Sequence, residues 1–181
     1  SASGAHGEFD LSLAFQRSEN IYFAKVGLRI GAQRLVDYAG RFGIPVAPRA
    51  DLATARGQIS TSGSIDRPTL LADTSFGQGE LLVSPLQMAL VAAAIARGGS
   101  LPTPHYALAV RAASGAPLRV VDPGAAGQAI RPETAITIGQ AMVAAVNAPG
   151  AFAAGARIPG VVVAGKTGTA EVPSGAPHGW F

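Results

Sequence analysis

The sequence contains no cysteine, and this absence excludes both disulfide bonds and thiolate metal sites. Lysine is almost as scarce, because only Lys25 and Lys166 occur among the 14 basic residues. Charged residues make up 14% of the 181 residues, the formal net charge is +3, and no basic run is clustered. Nucleic-acid binding therefore has little support from the sequence.

Histidines and long apolar runs are also few. The three histidines, His6, His105 and His178, are far apart and lack the spacing of metal ligands, so we expect each to be a surface or structural residue. Neither a signal peptide nor a membrane span is visible. The most apolar stretch, residues 81–96, is interrupted by polar residues and proline. We therefore interpret it as a buried core helix and not as a membrane span.

Hydrophobic residues make up 48% of the chain, which is enough for one domain with a sizeable core and excludes a disordered chain. Apolar spacing and capping residues predict a set of helices: from Asp10 to a break at 18–20, from there to Gly31, over 35–42, from the Ser84 N-cap to about Arg97, and from about Pro132 through Val146. Residues 44–80, rich in Pro, Gly, Ser and Thr, are expected to be irregular. Residues 105–111 and 118–121 are expected to form a hairpin.

Residues 161–171 combine a valine run with an anion-binding pattern. Three consecutive β-branched valines predict a buried strand. Lys166 then places a positive charge at the end of this strand, and the hydroxyls of Thr167 and Thr169 can donate to an anion. Gly168 has no Cβ, so a ligand can approach the backbone closely. The stretch therefore predicts a site for a carboxylate or a phosphate.

One interpretation of this stretch is a P-loop. Gly160, Gly165, Lys166 and Thr167 match its G-x-x-x-x-G-K-[ST] spacing. The valines between the glycines favour a strand instead of a phosphate-binding loop, and glycine and proline follow where a P-loop needs a helix. A P-loop nucleotide-binding protein is therefore the less favoured alternative.

A second pattern, at 18–20, lies at the predicted helix–helix junction. Ser18 and Asn20 are ordinary helix-boundary residues, because their side chains cap free backbone N–H groups. The spacing also allows both side chains to face one cleft, where a serine hydroxyl can relay a proton and an asparagine amide can bind a substrate amide. The residues alone leave both interpretations open.

Three stretches together resemble one family, the penicillin-recognising serine acyltransferases. Residues 166–168 resemble its K-T-G motif, and residues 18–20 resemble its S-x-N motif. Residues 77–89 resemble a G-Q-G-x-L-x-V-[ST]-P-L-Q-M-A signature of penicillin-binding proteins, to which we assign only a packing role in the helical region.

The resemblance implies that residues 1–181 are part of one penicillin-binding protein transpeptidase domain. The implied fold is α+β and β-lactamase/transpeptidase-like, a five-stranded antiparallel sheet with a helical subdomain, incomplete in this chain. The helical subdomain would cover about 9–147, and the sheet strand with K-T-G would cover 161–171. The Trp-Phe run at 180–181 would open the next strand, antiparallel to it. A sheet that ends there has an open edge, and we expect another part of the protein or a partner to cover it.

The implied function is that of a peptidoglycan D,D-transpeptidase, which cross-links stem peptides ending in D-Ala-D-Ala through a serine acyl-enzyme and is inhibited by β-lactams. The resemblance implies three catalytic residues and three substrate-binding residues: Ser18, Asn20 and Lys166, then Thr167, Gly168 and Thr169. It implies no cofactor and no metal. The expected partners are the stem peptide, β-lactam antibiotics and the remainder of the same protein. The expected location is the extracytoplasmic side of the bacterial membrane, with any anchor outside this chain.

The family's nucleophile motif, S-x-x-K, does not occur in the chain. Tyr22 and Val163 stand three residues before the two lysines, where the motif requires a serine. The sequence therefore predicts a fragment whose nucleophile lies elsewhere and which is inactive alone. The alternatives are a complete protein that only binds, a β-lactam sensor domain, a β-lactamase, against which the signature at 77–89 argues, and a purely structural domain.

Overall fold

The computed structural model describes residues 9–122, 124–172 and 174–181. These residues form six α-helices, listed in chain order: α1 Leu11–Arg17, α2 Asn20–Ile30, α3 Ala32–Arg41, α4 Pro68–Thr74, α5 Pro85–Ala96 and α6 Pro132–Asn147. A short 3-10 helix covers Ala154–Ala156. Six strands form three two-stranded antiparallel sheets: β1 Ser100–Pro102 with β4 Ala125–Gln128, β2 Ala109–Arg111 with β3 Pro117–Val120, and β5 Gly168–Ala170 with β6 His178–Trp180. None of the helices among these described residues has the length and apolarity needed to cross a membrane.

The predicted break between the first two helices is confirmed. Asp10 caps α1, and its carboxylate accepts a hydrogen bond of 2.7 Å from the Leu13 N–H. Ser18 ends α1 in the left-handed conformation, and α2 begins two residues later at Asn20. Gly31 ends α2 as predicted, because its positive φ turns the chain into α3.

Helix α4 was not expected, because residues 44–80 were predicted to be irregular. Pro68 occupies its first turn, where a proline fits without loss of a hydrogen bond. Seven residues are too few to show a helical periodicity, so the sequence carried little further signal. Leu70 and Leu71 of this helix are buried against the apolar side of α3. Tertiary packing therefore stabilises this short helix.

The predicted start of α5 is confirmed, and its N-terminus also fixes a distant loop. The Ser84 hydroxyl accepts from the Gln87 N–H, and the Gln87 side chain accepts from the Ser84 N–H, which forms a capping box. Only 1% of Gln87 is exposed, and its amide donates to the carbonyls of Gly43, Ile44 and Val46. The glutamine thus satisfies backbone groups of the turn that follows α3.

The prediction of a buried strand over 161–171 is wrong in its extent, because the strand covers only Gly168–Ala170. The valines lie outside it, and Val162 is 77% exposed. A β-branched run forms a strand only where a neighbouring backbone pairs with it. Helix α6 tethers this segment instead: the Asn147 amide donates to the Val163 carbonyl, and the Gly165 N–H donates to the Met142 carbonyl.

The sheets agree in part with the sequence predictions. The hairpin of β2 and β3 is confirmed, although both strands are shorter than expected. The antiparallel strand at the Trp-Phe run is also confirmed, with Thr169 opposite Gly179. The helical subdomain predicted for 9–147 contains two of the small sheets in addition to its helices.

Gly27 of α2 provides a test of the packing between α2 and α4. A Cβ at this position would lie 1.7 Å from the Ser75 hydroxyl oxygen and 2.4 Å from the Ser75 Cβ. We expect Gly27→Ala to lower the free energy of unfolding by about 1–3 kcal/mol, the usual cost of overpacking. Chemical denaturation measures this change.

Gly40 of α3 is the matched control, because a Cβ there meets no atom within 4 Å. Gly40→Ala should keep or raise stability, since alanine favours a helix by roughly 0.8–1 kcal/mol over glycine. Equal effects of the two substitutions would contradict the close α2–α4 packing.

Candidate active site

A cleft of about 280 Å³ lies between the junction of α1 and α2, the loop after α4, and strand β5. All six site residues predicted from the sequence line this cleft: Ser18, Asn20, Lys166, Thr167, Gly168 and Thr169. Five further residues line it: Phe15, Phe23, Ser75, Phe76 and Gln78. The cleft therefore combines one cation and several hydroxyl and amide groups with three aromatic rings.

A hydrogen bond between Lys166 and Ser18 crosses the cleft. The Lys166 Nζ donates to the Ser18 hydroxyl oxygen at 2.7 Å, and these residues are 148 positions apart. Lys166 also donates to the carbonyl of Thr167 at 2.8 Å, which fixes its side chain over the start of β5. The pattern at 18–20 and the pattern at 161–171 thus meet at one point in space.

Ser18 has an unusual backbone conformation, with φ 55° and ψ 47°. Within 9–122, 124–172 and 174–181 it is the one residue other than glycine with positive φ. This conformation ends α1, as a glycine usually does, because the following Glu19 N–H returns to the Ala14 carbonyl. It costs an L-residue roughly 1–2 kcal/mol, which the fold tolerates at a position where the hydroxyl enters the cleft.

The Lys166 ammonium is partly buried beside an aromatic ring. Its Nζ lies 5.8 Å from the centroid of the Phe15 ring. Burial removes water from the ammonium and lowers the pKa of Lys166 below its ordinary value of 10.5. Within the described ranges, no carboxylate lies at ion-pairing distance from it. An anion that enters the cleft therefore meets an ammonium that no carboxylate of these ranges neutralises.

Trp180, in β6, and Phe181, directly after it, pack closely on the K-T-G segment because the residues that they face are glycines. A Cβ on Gly165 would lie 2.3 Å from the Phe181 ring, and a Cβ on Gly168 would lie 3.3 Å from the Trp180 Cβ. Thr169, in the middle of β5, is exposed at the cleft. These contacts pack the end of the chain against the K-T-G segment.

The P-loop interpretation is wrong for this chain. The residues after Thr167 form β5, whereas in a P-loop the chain continues there as a helix. In the part of the chain that the structure describes, no group of three or more His, Asp or Glu side chains is arranged to hold a metal ion.

Five residues that line the cleft were not predicted from the sequence. Gln78 lies in the signature at 77–89, for which the sequence predicts only a packing role, and its amide donates to the Thr169 carbonyl at 3.0 Å. Phe15 and Phe23 pack edge to face at 6.5 Å between ring centroids, on either side of the 18–20 junction. Their proximity to Ser18 in sequence was the one available signal.

Comparison with known proteins gives a consistent result. The family model described as "Penicillin binding protein transpeptidase domain" matches residues 2–181. Peptidoglycan D,D-transpeptidase PbpA of Mycolicibacterium smegmatis is 34% identical over 176 residues, which cover 94% of this chain and 35% of that protein. Peptidoglycan D,D-transpeptidase FtsI of Escherichia coli K12 is 32% identical over 172 residues, which cover 92% of this chain and 26% of that protein. The chain thus spans about a third or less of the length of these curated relatives.

Solved structures support the same relationship. Penicillin-binding protein A from M. tuberculosis, described as a ceftriaxone acyl-enzyme complex, has a TM-score of 0.87 and 32% identity over 98% of this chain and 40% of that chain. The D,D-transpeptidase domain of a peptidoglycan glycosyltransferase from Eggerthella lenta has a TM-score of 0.85 and 29% identity over 96% of this chain and 44% of that chain. The predicted α+β, transpeptidase-like fold is therefore confirmed.

The backbone strain at Ser18 can be measured by comparing two substitutions. Ser18→Gly and Ser18→Ala both remove the hydroxyl and its bond to Lys166, but only glycine adopts positive φ without cost. We expect the glycine variant to be more stable than the alanine variant by about 1 kcal/mol, measured by chemical denaturation. An alanine variant as stable as the glycine variant would contradict a strained Ser18.

The lowered pKa of Lys166 predicts how stability depends on pH. Between the lowered pKa and 10.5, the unfolded chain holds the lysine proton and the folded chain has released it, so the contribution of Lys166 to stability rises with pH. The free energy of unfolding of the wild type minus that of Lys166→Met should therefore increase from pH 8 towards pH 10.5.

Lys25→Met is the matched control, because Lys25 is the other lysine and is exposed on α2. Its difference from wild type should stay flatter over the same pH range. A difference for Lys166→Met that decreases with pH would mean that the cleft stabilises the ammonium form.

Proposed function

The chain belongs to the penicillin-binding protein transpeptidase family, and we propose that the protein containing it is a peptidoglycan D,D-transpeptidase that cross-links stem peptides ending in D-Ala-D-Ala. We also propose that β-lactams acylate it. The names of its relatives and their acyl-enzyme structures support both parts of this proposal.

The observation that carries the proposal is the 2.7 Å hydrogen bond between Lys166 and Ser18. It brings the S-x-N and K-T-G motifs together in one cleft, as an acyl transfer requires. Acyl transfer needs a proton relay and a positive charge near the reacting carbonyl, and the two side chains are suited to these tasks.

In the proposed reaction, a serine from outside these 181 residues attacks the carbonyl that joins the two D-Ala residues. The bond to the terminal D-Ala breaks, and Ser18 passes a proton to its departing amine. The resulting ester then reacts with the amine of a second stem peptide, which forms the cross-link and releases the serine. Asn20 would orient the amide of the donor peptide.

Strand β5 and Lys166 would hold the charged parts of the substrate. Lys166 with the hydroxyls of Thr167 and Thr169 would bind the terminal carboxylate, and Gly168 would let it approach the backbone. The Thr169 N–H would be one donor to the oxyanion, an interaction typically worth about 3 kcal/mol. The partly buried ammonium would bind a carboxylate more strongly than an exposed one would, because less water competes.

The remaining parts of the proposal concern the whole protein. None of the serines in the chain has the S-x-x-K spacing, so we propose that the 181 residues alone are inactive and that another part of the protein supplies the nucleophile. Because the relatives synthesise peptidoglycan, we propose that the protein acts on the outer side of the cytoplasmic membrane, held by an anchor elsewhere in the protein.

Labelling with a fluorescent penicillin, followed by intact-mass analysis, tests the proposal. A full-length protein should gain one covalent adduct on a serine outside residues 1–181, and the 181-residue chain should gain none. Lys166→Ala in the full-length protein should slow labelling by roughly 100-fold, the usual scale for loss of an electrostatic partner in a transition state. Lys25→Ala, which removes the other lysine, should leave labelling unchanged.

Two results would contradict the proposal. Failure of the full-length protein to be labelled would favour a domain without enzymatic activity. Labelling followed by rapid hydrolysis of the adduct, with release of the opened lactam, would favour a β-lactamase.

A further inference from the structure

The hydrogen bond from Gln78 to Thr169 occupies a backbone group that a ligand in the cleft would need. The Gln78 Nε2 donates to the Thr169 carbonyl oxygen at 3.0 Å, and both residues line the cleft. No role in binding is assigned to Gln78 by the function proposed above. The inference that follows rests on that function and deepens it.

The direction of the Thr169 carbonyl follows from the pairing of β5 with β6. Thr169 lies opposite Gly179, between the pairs Gly168–Trp180 and Ala170–His178. Successive residues of an antiparallel strand direct their N–H and C=O groups to alternate edges. Since the Thr169 carbonyl meets Gln78 in the cleft, the Thr169 N–H shares this direction. The edge of β5 that faces the cleft therefore presents both the N–H and the C=O group of Thr169.

A free strand edge recognises an extended peptide through these two backbone groups. A ligand that lies along β5 would accept from the Thr169 N–H and donate an amide N–H to the Thr169 carbonyl. The side-chain amide of Gln78 has the same chemistry as a peptide amide and holds this carbonyl before a ligand arrives.

The backbone around Gln78 is fixed, so the position of its amide is set by the fold. Gly77 and Gly79 both have positive φ, and a Cβ on Gly79 would lie 3.1 Å from Leu70 Cδ1. The Gln78 N–H donates to the Asp73 carbonyl at 2.9 Å. Glu80, two residues after Gln78, accepts from the N–H and the hydroxyl of Thr61. The loop after α4 thus directs the glutamine side chain at β5.

We propose that Gln78 is a specificity-determining residue of the cleft, because its amide occupies the Thr169 carbonyl and a ligand amide that donates to this carbonyl must displace it. Ligands that lack such an amide do not compete with Gln78. The residue thus lowers the preference of the cleft for amide-bearing ligands.

Acylation kinetics with two β-lactams test this inference in the full-length protein. Penicillin G carries an acylamino group next to its reactive ring, whereas imipenem carries a hydroxyethyl group there. Gln78→Met keeps the length of the side chain and removes its donor. It should raise the ratio of the penicillin G to the imipenem acylation rate constant by about two- to tenfold, the range expected for one neutral hydrogen bond. Gln78→Asn, one methylene too short to reach Thr169, should raise the ratio in the same way.

Gln58→Met is the matched control, because the Gln58 Nε2 also donates to a backbone carbonyl, that of Glu80 at 2.9 Å, but lies outside the cleft. It should leave the ratio unchanged. A merely structural role of Gln78 would slow both lactams equally, so that the ratio stays the same, and this result would overturn the inference. A lower ratio would also overturn it, since the amide would then assist the ligand. If neither lactam acylates the wild type, the proposed function itself fails, and this inference fails with it.

Discussion

The hydrogen bond between Lys166 and Ser18 joins the two walls of the cleft, and the remaining structure holds its two ends in place. One end depends on a strained helix terminus, where the left-handed conformation of Ser18 turns its hydroxyl towards β5. The other end depends on α6, which tethers the segment before Lys166 through Asn147 and the Met142 carbonyl. Both supports are formed by helices, so the geometry of the cleft is set mainly by the helical part of the chain.

Side-chain amides fix the irregular segments around this site. Gln87 binds the carbonyls of the turn after α3, Asn147 binds the segment before the K-T-G motif, and Gln78 binds the strand edge itself. Irregular backbone must satisfy its polar groups without a sheet or helix ladder. An amide does so with two donors and an acceptor, and because it carries no charge its burial costs less than that of an ionised group.

The charge in the cleft suits the terminal carboxylate of the substrate that we propose. A single ammonium, partly buried and without a carboxylate partner in the described ranges, provides the charge. The ring of Phe15 lies 5.8 Å from this ammonium, and Phe23 and Phe76 also line the cleft. The strain at Ser18 occurs where its hydroxyl accepts from Lys166 in the cleft, and strained backbone is often found at functional sites.

The sequence by itself determined most of the helix ends, although not those of α4, together with the order of the motifs and the family. Capping residues such as Asp10 and the pair Ser84-Pro85 act on backbone groups within three positions of themselves. The ends of a helix can therefore be predicted from the residues next to them. The tertiary structure alone decided which residues meet. In the described residues it left the valines at 161–163 outside the strands, and it placed Gln78 on Thr169, 91 positions away. Strand pairing and cleft contacts depend on residues that are far apart in the sequence, and a local sequence pattern does not show which distant residues will meet.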